Sequence, residues 1–512
     1  MPKTPSDKLF RLVKSLTPAE KRYFKIFIKN KTERESKYAR LFDLVDAATE
    51  FDDEKLKTKI YKSQPADGKK YPELKAYLYD LVLKSLQSFD EQHTVEARLN
   101  HLLQGVAALF KRGLYDDCRE LLQKAAKIAR QYEVFGQQLE IVRWEKQLAY
   151  TRMDVDFLQK ELERLNFEES RALEQLQNMA QYRQSFFQVY TTIRSEALHR
   201  GVDKMARLRA QVGQPIFNDP DAALSHRARV LYYRTLNLYH YASLEQEQFY
   251  ETGKKLIELI ESQPHFLREN LSDYIASLSN LILSCGLLRR YDEVRECLEK
   301  LQNLTPITED DRRKIHRQYF TNKFALCIYT GDFEEGRQEM ERHLREAGLM
   351  DAHETASFFF QYFCICFGCG DFGRALDFLN EWLRQPRTVE RADLQSVARV
   401  LSLIIHYEMG NTMLLESVLR STTRYLQKKN RLEALELRFV QFMSELVRTP
   451  AGRERAAVFQ RAKDDLHQLS EQHEAKAVLD TFDLVAWVES KISGKTFAEA
   501  VRAKAGSHSS HR

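Results

Sequence analysis

The stretch Tyr329-Thr330-Gly331-Asp332-Phe333-Glu334-Glu335 decides how this chain is read. Glycine lets one helix end in a left-handed conformation, the aspartate caps the next, and an aromatic opens it. An aromatic after a short turn recurs at Tyr115, Phe249, Tyr291, Phe333 and Phe372, the last four separated by 42, 42 and 39 residues. Seven residues after each stands a large apolar side chain: Leu122, Leu256, Leu298, Met340 and Leu379. A period near 40 in a helix-rich sequence predicts stacked helical hairpins, because no hairpin of this size buries its apolar face alone.

Composition agrees with that reading. The chain has 512 residues, too many for one compact core, yet no sharp compositional break divides it. An elongated array reconciles the two, since its core grows along one axis. Gly (18) and Pro (11) are scarce and β-branched alternating runs are nearly absent, so the expected fold is all-α. The formal charge of +5 is uneven: residues 1–90 hold 20 Lys+Arg against 14 Asp+Glu, and the rest is close to neutral. Met1-Pro2-Lys3-Thr4-Pro5 leads into an amphipathic segment without an apolar h-region, and the longest apolar run, Phe358 to Phe367, is too short to span a bilayer. Irregularly spaced cysteines, seven in all, do not form a disulfide framework. The expected location is the cytoplasm.

Residues 1–90 differ in character from the rest of the chain. Thr17-Pro18-Ala19-Glu20 predicts a helix start with a capping box and proline at the first position. Further helices are expected over Tyr38–Ala48, Asp53–Tyr61 and Tyr71–Ser88, with a loop over Lys62–Gly68. This basic helical domain reads either as a cap on the first repeat or as a helix-turn-helix variant. In the second case Lys21, Arg22, Lys25, Lys29 and Lys31 form the basic contact surface.

Divergent helical repeats are expected over 91–212, with turns at Arg112–Tyr115, near Asp154–Asp156 and near Gly201–Asp203. The segment 213–221, carrying Pro215 and Pro220, is a break, read as a hinge or a longer loop. More regular repeats fill 222–430. Helices over Leu432–Val447, Arg453–Gln472, Glu474–Ile492 and Phe497–Lys504 make up 431–505, and 506–512 reads as a disordered tail.

Lys111-Arg112-Gly113-Leu114-Tyr115-Asp116-Asp117 and the stretch at 329–335 resemble the tetratricopeptide repeat. Ala375 and Gly336 fit that family's small position, and Pro264 and Pro306 follow Phe249 and Tyr291 by 15 residues, where the family places its proline. The period is longer than the family's, and the Trp and Gly of the first helix are mostly missing. The resemblance implies a right-handed α-solenoid of TPR-like hairpins behind an N-terminal helical cap. It also implies a concave peptide-binding groove.

Asn280, Asn322 and Gln361 each precede their turn aromatic by 11 residues. A carboxamide both donates and accepts, so a ladder of them suits an extended peptide backbone, and in the resembled family this register faces the groove. Tyr232, Tyr233, Tyr239 and Tyr241 lie near Arg227, Arg229 and Arg234. Interleaved aromatics and arginines can stack bases and meet phosphates, and tyrosines at helical spacing also build inter-repeat core. Gly368-Cys369-Gly370-Asp371-Phe372-Gly373 mimics both a dinucleotide loop and a kinase triplet, but its flanks are helical and it repeats the turn at 331–333. Ser493-Gly494-Lys495-Thr496 likewise reads as a helix-to-helix turn. Cys364, Cys366 and Cys369 have no histidine at ligand spacing and read as small buried hydrophobes. No catalytic residue, cofactor or metal is expected. The leading expectation is a non-enzymatic adaptor or scaffold holding a protein or extended peptide. The alternative is a nucleic-acid-associated regulator whose basic N-terminal helices meet phosphate while the array acts as sensor. No membrane partner is expected, and the sequence does not set an oligomeric state.

Overall fold

The computed structural model describes residues 6–29, 37–61, 70–194, 202–346, 357–384, 389–428, 434–450, 452–470 and 482–506. About 86% of the structure is helical, and the described residues contain no strand, so the all-α reading holds. Consecutive helices pack against their neighbours.

Helix ends explain the order of elements. At Gly113, Glu133, Met153, Leu244, Arg289, Gly370 and Gly410 the backbone turns left-handed, with φ between 51° and 77°. In each case the next residue's N–H donates to a carbonyl five residues back, at 2.8 to 3.2 Å, as from Asp371 to Cys366. This is the Schellman closure, which satisfies carbonyls the ending helix leaves open. The following helix starts two residues after the left-handed one, as at Tyr115, Phe135, Val155, Gln246, Tyr291, Phe372 and Thr412. Met153 lies 40 residues after Gly113, so the turn spacing seen later also occurs in the first part of the chain. Phe249 sits inside the first turn of Gln246–Glu261 rather than at its start.

One compact unit gathers the described residues up to Arg194, then 202–274 and 305–312. Its first helices are Lys8–Ser15, Pro18–Lys29, Lys37–Ala47, Asp53–Tyr61 and Lys70–His93. Thr17 and Glu20 close the expected capping box: the Thr17 N–H donates to Glu20 Oε2 at 2.6 Å, and the Glu20 N–H to Thr17 Oγ1 at 3.3 Å. These helices make a core from their own residues, including Val13, Phe24, Leu41, Phe42, Leu78 and Val82. The loop expected at 62–68 lies outside the described residues.

Beyond Val95–Phe110, Tyr115–Gln131 and Phe135–Thr151 the helices are less uniform in length. Val155–Arg194 is one unbroken 40-residue helix that begins at the turn expected near Asp154–Asp156. Its buried side carries Leu165, Ala172, Met179, Tyr182 and Val189. The proline-containing break becomes two 3₁₀ turns, Pro215–Phe217 and Pro220–Ala222. They are tied to the long helix: the Tyr182 hydroxyl donates to the Ile216 carbonyl at 2.6 Å, and the Asn178 amide to that of Ala222 at 3.0 Å. Phe217 is buried with Phe135, Tyr182 and Tyr232, so this segment is a pinned loop.

The other unit gathers 275–304 and the described residues from Arg313 onward. Its centre is aromatic. Phe333 packs at 5.5 Å on Phe497, which in turn stacks at 5.2 Å on Phe482. Phe363 and Phe367 also pack on Phe482. The C-terminal helix Phe497–Gly506 covers the turn at Gly331, where an added Cβ would sit 3.0 Å from the Ala498 carbonyl oxygen. The Trp487 ring is buried and its N–H donates to Glu408 at 2.6 Å. Residues 474–481 of the expected helix Glu474–Ile492, and the tail at 507–512, lie outside the described residues.

Candidate functional site

Helix His226–Ser243 separates the tyrosines and arginines that its sequence interleaves. Arg227, Val230, Leu231 and Arg234, spaced i, i+3, i+4, i+7, fall on one face. That face lines a cleft of about 170 Å³ in the first unit. Tyr232 points into the core instead, its hydroxyl donating to the Phe217 carbonyl at 3.3 Å. Tyr241 is partly exposed and leans on Phe249 at 5.4 Å.

Four further segments complete the cleft. The long helix brings Met179 and Arg183, Gln246–Glu261 brings Ile260, Pro264–Glu269 brings Phe266, and the chain beyond brings Asn270, Asp273 and Tyr274. Pro264 starts its short helix at the first position, which delivers Phe266 buried beneath His226. The two rings stack at 4.7 Å with an 8° interplanar angle. Glu133, held left-handed at φ 51°, accepts from the His226 and Arg227 backbone N–H groups at 2.8 and 2.9 Å. This carboxylate therefore satisfies the helix start and leaves the side chains to the cleft.

Three guanidinium groups line the cleft against the Asp273 carboxylate, and the half-buried Glu269 carboxylate interacts with Arg227. Arg234 pairs with Asp273 at 2.7 Å and lies 4.6 Å over the Phe186 ring. Arg227 lies 5.5 Å over Phe266, and its buried Nε has no hydrogen-bond partner among the described residues. Arg183 is exposed at the rim. Burial, opposed by the Glu133 carboxylate, holds the His226 imidazole below its usual range. An unsatisfied buried donor costs about 1–3 kcal/mol, so an acceptor reaching Arg227 gains more than it would at an open surface. The arrangement suits an anionic group with an apolar neighbour.

The carboxamide ladder is differently placed. Asn280, Asn322 and Gln361 are all half-buried. Asn322 Nδ2 donates to the Gln318 carbonyl one turn back on its own helix at 2.7 Å. Gln361 Nε2 donates to the Thr321 carbonyl at 2.9 Å and so braces two helices. Of the basic N-terminal residues, Lys21 pairs with Asp46 at 2.7 Å and Lys25 with Asp43 at 2.9 Å, so carboxylates of the next helix already meet two of them. Arg22 and Lys29 are exposed, and Lys31 lies outside the described residues.

The glycine-rich look-alike is a helix-ending turn: Gly370 has φ 77° and closes the Schellman motif. Gly494 ends its helix at φ 70°, and Thr496 caps the next through Glu499. Six cysteines are buried and Cys369 is half-buried. Burial pushes the thiols of Cys285, Cys327 and Cys366 up to about 12. No group of described residues is arranged to hold a metal ion, and no helix among them is long and apolar enough to cross a membrane.

Composition alone could not have found Phe266, Asp273 or Arg183, which reach the cleft through tertiary packing. The i, i+7 pair Arg227/Arg234 was the one local signal. Comparison with family models, with curated proteins and with solved structures gave no match to this chain.

Proposed function

We propose that this chain is a non-enzymatic adaptor built from TPR-like hairpins in a right-handed solenoid, and that it holds a segment of another protein. The observation that carries the reading is the cleft at 226–274. There the Arg227 guanidinium, whose buried Nε has no partner among the described residues, lies over the Phe266 ring in a cleft that Arg234 and Arg183 also line. The segment it fits has an Asp or Glu beside a large apolar residue. The carboxylate reaches the arginines, and the apolar side chain enters between Leu231, Ile260 and Met179.

A peptide array tests this. Peptides carrying Asp-Leu or Glu-Phe steps should be retained, and their Asn and Gln counterparts should lose about tenfold or more. Arg183→Ala, at an exposed position, should weaken retention without unfolding the protein. Equal retention of acidic and amide peptides would end the proposal. Single-stranded oligonucleotides form the second arm. Their tight, steeply salt-dependent binding would move the assignment to the nucleic-acid reading.

A further inference from the structure

The long helix Val155–Arg194 leaves a second apolar face uncovered. Val155, Leu162, Leu173 and Phe187 are 58%, 43%, 53% and 55% exposed, and Ala180 between them is exposed too. At 100° per residue these five positions fall within about 20° of one line, which also carries Glu169, held by Lys146 at 2.7 Å, and Thr191. Isolated exposed apolar residues are ordinary, but two apolar patches on one helix face, spanning about 48 Å and parted only where Lys146 holds Asn166 and Glu169, are not. Both ends of this stripe are reinforced: Tyr150 (79%) and Met153 (85%) stand beside Val155, and Tyr190 (42%) stands beside Phe187.

Two properties of the stripe say what covers it. The first is its symmetry. Steps of seven residues, Val155 to Leu162 and Ala180 to Phe187, lie at equal distances on either side of residue 171. In an antiparallel pair Val155 therefore meets Phe187, Leu162 meets the small Ala180, and Leu173 meets Glu169, whose charge Lys146 of its own chain already holds, beside the two-fold axis. Arg171 projects from the opposite face. The second property is charge. Residues 155–174 hold six carboxylates and three cations, whereas 175–194 hold Arg183, Arg194 and no carboxylate. Some of the carboxylates are tied within the chain, as Glu168 is to Arg130 at 2.9 Å and Glu169 to Lys146 at 2.7 Å. Asp156, Glu163 and Glu174 remain exposed. Antiparallel pairing sets the acidic half against the basic half and opposes the helix dipoles, whereas parallel pairing sets like against like.

We propose that two copies of this chain associate through this stripe as a two-fold dimer with the long helices antiparallel. A strip of that length and one helix wide is on the order of 500 Å² per copy. That is less than the roughly 800 Å² per partner of a standard interface, so the association is reversible and concentration-dependent.

Sedimentation equilibrium on the full chain tests it. The wild type should pass from monomer to dimer as concentration rises through the micromolar range. Leu162→Lys sets a cation against the partner's basic half and should weaken self-association about a hundredfold, since each dimer loses two leucines. Phe187→Lys is the second variant, and far-UV circular dichroism checks that each keeps its helix. A bis-maleimide crosslink then reads orientation. Val155→Cys copies mixed with Phe187→Cys copies should join across the dimer, and Arg171→Cys copies should not join to each other. A wild type that stays monomeric to hundreds of micromolar would overturn the proposal. So would a dimer that survives both lysine variants, or one that links Val155→Cys only to itself.

Discussion

The hairpin at Gly331–Phe333 and the helix Val155–Arg194 bury apolar surface to opposite extents. In the first, Phe333 is 2% exposed and is covered by Phe497, Ala486 and Val501. In the second, apolar side chains face outward at Val155, Leu162, Leu173 and Phe187. Regular spacing produces the first outcome, because a hairpin with a neighbour on each side spends its apolar residues on packing. Where the spacing lapses, apolar and charged groups are left over. Both the arginine cleft and the outward stripe use residues of the long helix, the least repeat-like element of the chain.

Three glycines within six residues make that contrast measurable, and the first carries the largest expected effect. A Cβ at Gly368 would enter the Phe333 ring, so Gly368→Ala should cost about 3 kcal/mol or more. Gly370 stands in open space at φ 77°, and alanine there should cost about 1 kcal/mol from backbone strain alone. Gly373 has neither constraint, its nearest neighbour being Asp371 Oδ1 at 4.0 Å, so Gly373→Ala in a helical first turn should be neutral or slightly stabilising. Denaturant midpoints rank the three. Equal losses at 368 and 373 would mean that Phe333 does not seat on this glycine.

The same residues show how far the sequence could be read. The glycine-marked turns at 113, 331, 370 and 410 were visible because few other residues turn left-handed without cost. The turns at Glu133, Met153, Leu244 and Arg289 have the same geometry but no glycine, so nothing local marked them all. The turn expected near Asp154–Asp156 is the one that Met153 makes, and Val155–Arg194 follows it as a single helix. The helices were legible from period and capping; Thr17 and Glu20 pair as their spacing requires. The cleft was half legible. Arg227 and Arg234 stood out, whereas Phe266 and Asp273 join them only after the chain has folded back. Sequence spacing aligned Asn280, Asn322 and Gln361, but it could not say which backbone groups their amides would reach.

A titration sharpens the packed side of the contrast. His343 is fully buried among Phe320, Phe324 and Phe358, with His316 stacked at 5.1 Å. Its Nδ1 bonds to the Tyr362 hydroxyl, and its Nε2 has no partner among the described residues. Burial, helped by His316 and Arg342, pushes its pKa down to about 3. The unfolded imidazole takes up a proton near pH 6.5, whereas the folded one stays neutral until about pH 3. The unfolded state binds more protons in that window, so this contribution is complete above pH 6.5 and declines as pH falls toward 3. Removing the group should flatten the profile. His343→Phe should lose up to about 1.4 kcal/mol less stability per pH unit below pH 6 than the wild type does. Parallel profiles for the two proteins would show that the ring is not held neutral.

The smallest expected effect on stability separates the ladder's members from one another. Asn322 returns its amide to its own helix, a bond that helix interiors do without at little cost. Gln361 instead satisfies a carbonyl on another helix, and Gln361→Ala should cost about 1 kcal/mol. Asn322→Ala should leave the melting temperature nearly unchanged. If these carboxamides read a peptide backbone, Asn280→Ala combined with Asn322→Ala should weaken capture of an extended peptide. Unchanged capture would take both residues out of the binding surface. Unchanged stability in Gln361→Ala would mean that its bond to Thr321 is worth no more than water's, and the packed region would then owe its order to the aromatic core alone.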